Sequence, residues 1–158
     1  MSEGTYAVSS LDELGEGFGF RKVRQALGVT AFGVNFVVYP PRFRGPEHYH
    51  DHQDELYFVH SGRAKLEVGG EEHEVGPGGI FHVASTTPRR VSNVSDEPLV
   101  LLVVGGKDGY VERDGHVISD EDLKIRQEIG TAKAGGGSTE PVDGGGGGSA
   151  AAGAERGA

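Results

Sequence analysis

The chain has no cysteine among its 158 residues, which excludes disulfides, zinc–thiolate sites and thiol nucleophiles together. It also lacks any run of about 18 apolar residues, so no helical membrane span is expected. The opening Met1-Ser2-Glu3-Gly4 shows no basic-then-apolar leader pattern, and a cytoplasmic protein is the expectation. Positive charge is scarce: 15 Lys and Arg stand against 24 Asp and Glu, for a net charge of −9. An acidic surface repels phosphate backbones and anionic lipid. Nucleic acid and membrane are thereby poor partners, and a small-molecule ligand or substrate remains.

Glycine is abundant and unevenly placed. Of 28 glycines, 10 fall between Thr131 and Ala158, a stretch with almost no large apolar side chains. Such a segment cannot offset its ordering entropy by burial, so 131–158 is expected to be a disordered Gly/Ala-rich tail. The remaining residues suffice for one hydrophobic core.

Those residues read as strands. Phe32, Val34, Phe36 and Val38 alternate with Gly33, Asn35, Val37 and Tyr39, a period of two. Short runs follow at Glu55–His60, Ala64–Val68, Glu71–Val75, Ile80–Val83, Arg89–Asn93 and Leu99–Val104. Gly62, Gly69-Gly70, Gly76-Pro77-Gly78-Gly79, Pro88 and Asp96-Glu97-Pro98 separate them with turn chemistry. Gly69-Gly70 is a hairpin signal. Many short strands at this spacing predict an all-β sandwich or closed barrel. Two helical pieces flank it: one turn at Ser10–Leu14, and a helix capped by Ser119 that runs to Ile129 and stops at Gly130.

The chemistry concentrates between Gly45 and Gly62. His48, His50 and His52 alternate, so on an extended chain their imidazoles point to one side. Glu55 follows after a short turn. Two histidines and a carboxylate on one face suit a divalent cation: Fe, Mn, Ni, Co or Zn all accept these ligands. Tyr57 and Val59 share the face of Glu55, whereas Leu56 and Phe58 point outward. His60 is out of phase with the pocket. His73 reads as a surface residue, His116 as a turn residue, and His52 as an exposed loop residue or a neighbour of the site.

His48-x-His50, four residues, Glu55, six residues and Gly62 resemble the first motif of the cupin superfamily at every position. Upstream, Arg42 stands where the family places a glycine. The second motif is degraded. Aligned from Gly78, it keeps Asn93 but reads Ala84, Thr86 and Arg89 for proline, glycine and the metal-binding histidine. A rival register uses Pro77, Gly79 and His82, which makes His82 a possible ligand.

The resemblance implies a jelly-roll (double-stranded β-helix) barrel over 32–115, a central metal, and frequently a homodimer. Residues 1–31 are then a flanking segment and 116–130 a C-terminal helix. The expected ligands are His48, His50 and Glu55, with His82 and His52 in reserve. Tyr57 and Arg89 are the candidate ligand-binding residues. Arg89 has two readings, a structural salt bridge or a pocket cation that pairs with Glu55 or an anionic ligand. Two outcomes are open: Arg89 turns aside to an anionic ligand or a neighbouring acid and a three-ligand metal survives, which is the expected one, or it pairs with Glu55 and displaces the metal. The apolar runs on both faces of Leu99–Val104, with Leu56 and Phe58, predict a dimer through the outer sheet. The expected function is a metal-dependent enzyme acting on a small organic molecule (dioxygenase, isomerase, lyase or decarboxylase). The alternatives are a non-catalytic module in which Arg89 grips an anion, and a purely structural protein.

Overall fold

A computed structural model describes residues 6–130. The expected tail, 131–158, lies outside the described residues. Ten strands and two helices follow in order: β1 (Gly19–Arg21), α1 (Val23–Leu27), β2 (Gly33–Tyr39), β3 (Glu47–His50), β4 (Asp54–Ser61), β5 (Ala64–Val68), β6 (Glu71–Val75), β7 (Ile80–Val83), β8 (Arg89–Asn93), β9 (Leu99–Gly106), β10 (Gly115–Val117) and α2 (Asp120–Ile129). They form two antiparallel five-stranded sheets, β1-β2-β9-β4-β7 and β10-β3-β8-β5-β6, the all-β architecture that the strand pattern predicts and the jelly roll that the resemblance implies.

Alternation decides which side chains meet between the sheets. On β4, Glu55, Tyr57 and Val59 are buried and Leu56, Phe58 and His60 are exposed. Leu101 and Val103 of the neighbouring strand β9, and Leu66 and Val91 of the facing sheet, complete a core with Tyr39, Tyr57 and Val59. The β5–β6 hairpin turns on Gly69 and Gly70, both with positive φ (60° and 82°), a sign pattern that glycine adopts without strain. Gly62 is equally constrained. Its φ is +83°, and a Cβ there would sit 2.5 Å from the Pro98 carbonyl oxygen.

Three elements escaped the sequence reading. β1, α1 and β10 are three to five residues long, too short for an amphipathic period to show. β1 and β10 carry the sheets across the expected limits at 32 and 115, and β10 takes His116 from a turn into a strand. The helix at 120–129 starts as expected: Ser119 Oγ accepts from the Asp122 amide at 3.1 Å. Asp122 is itself buried, and its Oδ1 accepts from Arg90 Nη1 (2.9 Å) and the Glu47 amide (3.0 Å). These bonds tie α2 to β8 and β3.

Candidate metal centre

β3 and β4 deliver the central group. The three-residue turn at 51–53 reverses the chain so that His48 and His50 of β3 face Glu55 of β4 across the barrel. His50 and Glu55 are essentially inaccessible (0% and 1%) and His48 is 9% exposed. One ligand atom from each lies within 4.8 Å of the others. His50 Nε2 is 3.1 Å from Glu55 Oε2, and His48 Nε2 is 3.6 Å from Glu55 Oε1.

Both Nε2 atoms are buried without a hydrogen-bond partner. The other ring nitrogens explain why. His50 Nδ1 lies 2.8 Å from Asp114 Oδ1, and His48 Nδ1 faces the Pro46 carbonyl at 3.5 Å. Both partners are acceptors, so a proton on Nδ1 serves each contact and leaves Nε2 facing the Glu55 carboxylate, itself an acceptor. Nitrogens and carboxylate converging in this way need a cation between them, whether a proton or a metal ion. Ligands bound at right angles at about 2.1 Å lie about 3.0 Å apart, close to the His50–Glu55 separation. The donor set therefore fits a divalent metal with three protein ligands.

Arg89 occupies the place of a fourth. β3 and β8 pair with His48 directly opposite Arg89, which fixes the register aligned from Gly78. The guanidinium is fully buried. Nη2 donates to Glu55 Oε1 at 2.7 Å, Nη1 donates to the carbonyls of Thr87 (2.8 Å) and Ser85 (3.2 Å), and Nε reaches Tyr57 Oη at 3.4 Å. Tyr57 Oη also donates to Glu55 Oε1. Of the two outcomes, the structure shows the pairing with Glu55 and corrects the expectation that Arg89 turns aside: among the described residues Glu55 is the buried carboxylate that its guanidinium reaches. It takes only Oε1 and leaves Oε2 facing His50.

The charges follow from this packing. Burial opposes ionisation of Glu55, but His50 and Arg89 outweigh it and hold its pKa well below the usual carboxylate range. Burial and the adjacent Glu55 push Tyr57 well above the usual phenol range, so its hydroxyl stays protonated. Burial alone would lower His50, but Glu55 prevails and the net shift is upward.

The reserve ligands fall outside the group. His82 sits on the outward face of β7, opposite Leu56, and is exposed. His52 is exposed in the 51–53 turn, where its amide donates to Asp114 Oδ2 at 2.6 Å. His60 and His73 are surface residues, as expected, and His116 pairs with Asp51 (2.8 Å) over the ring of Tyr49. Asn93, which matches the family's asparagine, ties the following loop by donating to the Glu97 (2.8 Å) and Pro40 (3.0 Å) carbonyls. Sequence reasoning missed Asp114. It precedes a glycine and resembles any turn residue, and only the β10–β3 pairing brings it to His50.

The family model for the Cupin domain matches residues 35–105, which span β2 to β9 and contain all three ligands. Residues 35–105 are a cupin domain. Among solved structures, a cupin protein from Bacteroides fragilis aligns with a TM-score of 0.58 at 24% identity, over 69% of this chain and 90% of that one. A sugar phosphate isomerase of the cupin superfamily from Silicibacter pomeroyi aligns with a TM-score of 0.54 at 23% identity, over 73% of this chain and 86% of that one. These likenesses concern the fold. An uncharacterized protein of Streptomyces coelicolor is 39% identical over 51 residues, which is 32% of this cupin and 49% of that protein. The cupin thus matches about half the length of that curated relative. Among the described residues, no helix is long and apolar enough to cross a membrane.

Proposed function

We propose that this cupin is a metal-dependent enzyme of the dioxygenase, isomerase, lyase or decarboxylase type, acting on a small organic molecule. His48, His50 and Glu55 hold one divalent cation, Fe, Mn, Ni, Co or Zn. The observation that carries the reading is the pair of buried, unpartnered Nε2 atoms converging on Glu55. Such a cation, when bound, polarises a carbonyl or activates oxygen. Around it, Arg89 and Tyr57 fix Glu55 through Oε1, and Asp114 orients His50.

Beside His48 and Glu55 lies a cavity of about 30 Å³, walled mainly by Phe20, Val37, Tyr39, Val91, Leu101 and Val103. No lysine or arginine lines it among the described residues, which argues against a phosphorylated substrate. The space holds about one or two waters. Its size favours a second reading, a metal-binding cupin module that does not turn over its ligand.

We further propose a cytoplasmic homodimer. Leu56, Phe58 and Ile80 are 43%, 36% and 64% exposed on the outer face of the β4–β7 pair, an apolar surface that a second copy would cover.

The test of the metal reading is elemental analysis of untagged protein purified without added metal, followed by titration. Close to one equivalent per chain is expected. Failure to take up any of Fe, Mn, Ni, Co or Zn refutes it.

A further inference from the structure

Asp114 touches nothing in the cavity, yet four donors meet on its carboxylate. Oδ1 accepts from His50 Nδ1 (2.8 Å) and Gln53 Nε2 (2.8 Å), and Oδ2 accepts from the amides of His52 (2.6 Å) and Gln53 (3.1 Å). The side chain is only 7% exposed. It reaches His50 from the loop before β10, whose first residue, Gly115, pairs with His50 across the strands.

We infer that Asp114 is the positioning residue of the metal centre, holding the His50 proton on Nδ1 and aiming Nε2 at the cation. This rests on the metal reading above and extends it to a group that no first-motif pattern contains. An ionised carboxylate cannot donate, so His50 Nδ1 carries a proton in this 2.8 Å contact, the shorter of the ring's two carboxylate contacts, and Nε2 is left facing Glu55 Oε2 at 3.1 Å. Every contact of the Asp114 carboxylate is with a donor, the partner set of an ionised group. An anionic acceptor also makes the ring a stronger base at its other nitrogen, and outer partners of this kind change metal affinity about 10–100-fold. The contact with the amides of His52 and Gln53 adds a second effect. Asp114 braces the turn that joins the two ligand-bearing strands, so it sets both the direction of His50 and the approach of β3 to β4.

His48 supplies an internal control. Its Nδ1 faces a backbone carbonyl at 3.5 Å and has no contact with Asp114. Loss of Asp114 is expected to disturb one histidine of the pair and spare the other.

The experiment has two readouts. Long-range ¹H–¹⁵N spectra of metal-free protein, at a pH where the rings are neutral, report the tautomer of each histidine. Titration with Zn(II) against a chromophoric chelator reports affinity. In the wild type, His50 is expected with its proton on Nδ1. In Asp114→Ala, His50 is expected as a mixture of tautomers, His48 unchanged, and Zn(II) binding about 10–100-fold weaker. Asp114→Asn keeps the shape but turns an amide NH₂ toward donors on one side, and it is expected to fall between the two. It also serves if the alanine variant does not fold. His50 protonated on Nε2 in the wild type overturns the inference, as does Zn(II) affinity unchanged in both variants. A wild type that binds no Zn(II), while His50 alone responds to Asp114, supports the positioning role and refutes the metal reading instead.

Discussion

Arg89→Met removes the guanidinium from Glu55 while keeping an unbranched side chain in the core. Arg89 and Glu55 are 0% and 1% exposed, so the variant leaves a carboxylate in the interior without its strongest partner. Removing one member of a buried pair typically costs about 3–5 kcal/mol. The Ser85 and Thr87 carbonyls lose their donor as well. Two contacts limit the damage: Tyr57 still donates to Oε1, and the His50 ring still faces Oε2. The expected loss in metal-free protein at neutral pH is therefore at the lower end, about 3 kcal/mol. In a domain of this size that corresponds to a fall of roughly 10–15 °C in Tm. A bound divalent cation restores positive charge beside Glu55, so saturating Zn(II) should shrink the deficit relative to wild type in the same metal. The assay is urea denaturation followed by far-UV circular dichroism, with and without metal, on both proteins. A loss below about 1 kcal/mol, or a deficit that Zn(II) leaves untouched, refutes the account of Arg89 as the counter-ion of Glu55.

Four further outcomes are expected. Arg89→His places an imidazole directly across from His48 and should tighten Zn(II) binding at least about tenfold, while His50→Ala should abolish it; competitive titration reads both. Because Glu55 raises the His50 pKa, the proton on His50 stabilises the metal-free fold below the ordinary value of about 6.5 and is lost as pH rises through the folded value. Urea midpoints of wild type minus His50→Gln should thus decline from pH 5.5 to 8.5, and a difference that rises over this range would contradict the assignment. Deleting 131–158 should leave Tm essentially unchanged provided Gly130 is kept, since its carbonyl accepts from the Phe20 amide at 3.1 Å. Light scattering on a sizing column should give twice the chain mass, and Ile80→Lys with Leu56→Glu should give a monomer; a wild-type monomer at micromolar concentration would end the dimer proposal.

Legibility in the sequence tracked locality. β5, β6, β7 and β8 run over 64–68, 71–75, 80–83 and 89–93, the spans that alternation and glycine turns predict. The ligand group was equally local, since His48, His50 and Glu55 fit within eight residues of chain and one turn aligns them. What could not be read depends on register between distant strands. Arg89 and Glu55 are 34 residues apart, and Asp114 and His50 are 64 apart. The type of each residue was visible, but whether Arg89 faced the ligands, the solvent or a separate acid depended on β8 lying beside β3. The outward placement of His82 likewise follows from the Leu56 pairing on β7, which no short motif encodes.

The exchange of a family histidine for arginine changes what Glu55 can do as well as how many ligands exist. With histidine at position 89, Oε1 would keep only the Tyr57 hydroxyl as a partner. With arginine, Oε1 is taken by a guanidinium and a phenol, and Oε2 is the oxygen left for the metal. The carboxylate is thereby fixed in orientation, which favours a rigid site with one contact from Glu55. Positive charge close by works against a divalent cation, and the shared Glu55 offsets that repulsion only in part. The combination predicts a centre that binds metal more weakly than a four-ligand cupin site. It also makes Arg89, Tyr57 and Glu55 a unit. Tyr57→Phe removes one donor from Oε1 and leaves Arg89 in place, so its effect on Zn(II) affinity should be smaller than that of Arg89→Met and opposite to that of His50→Ala.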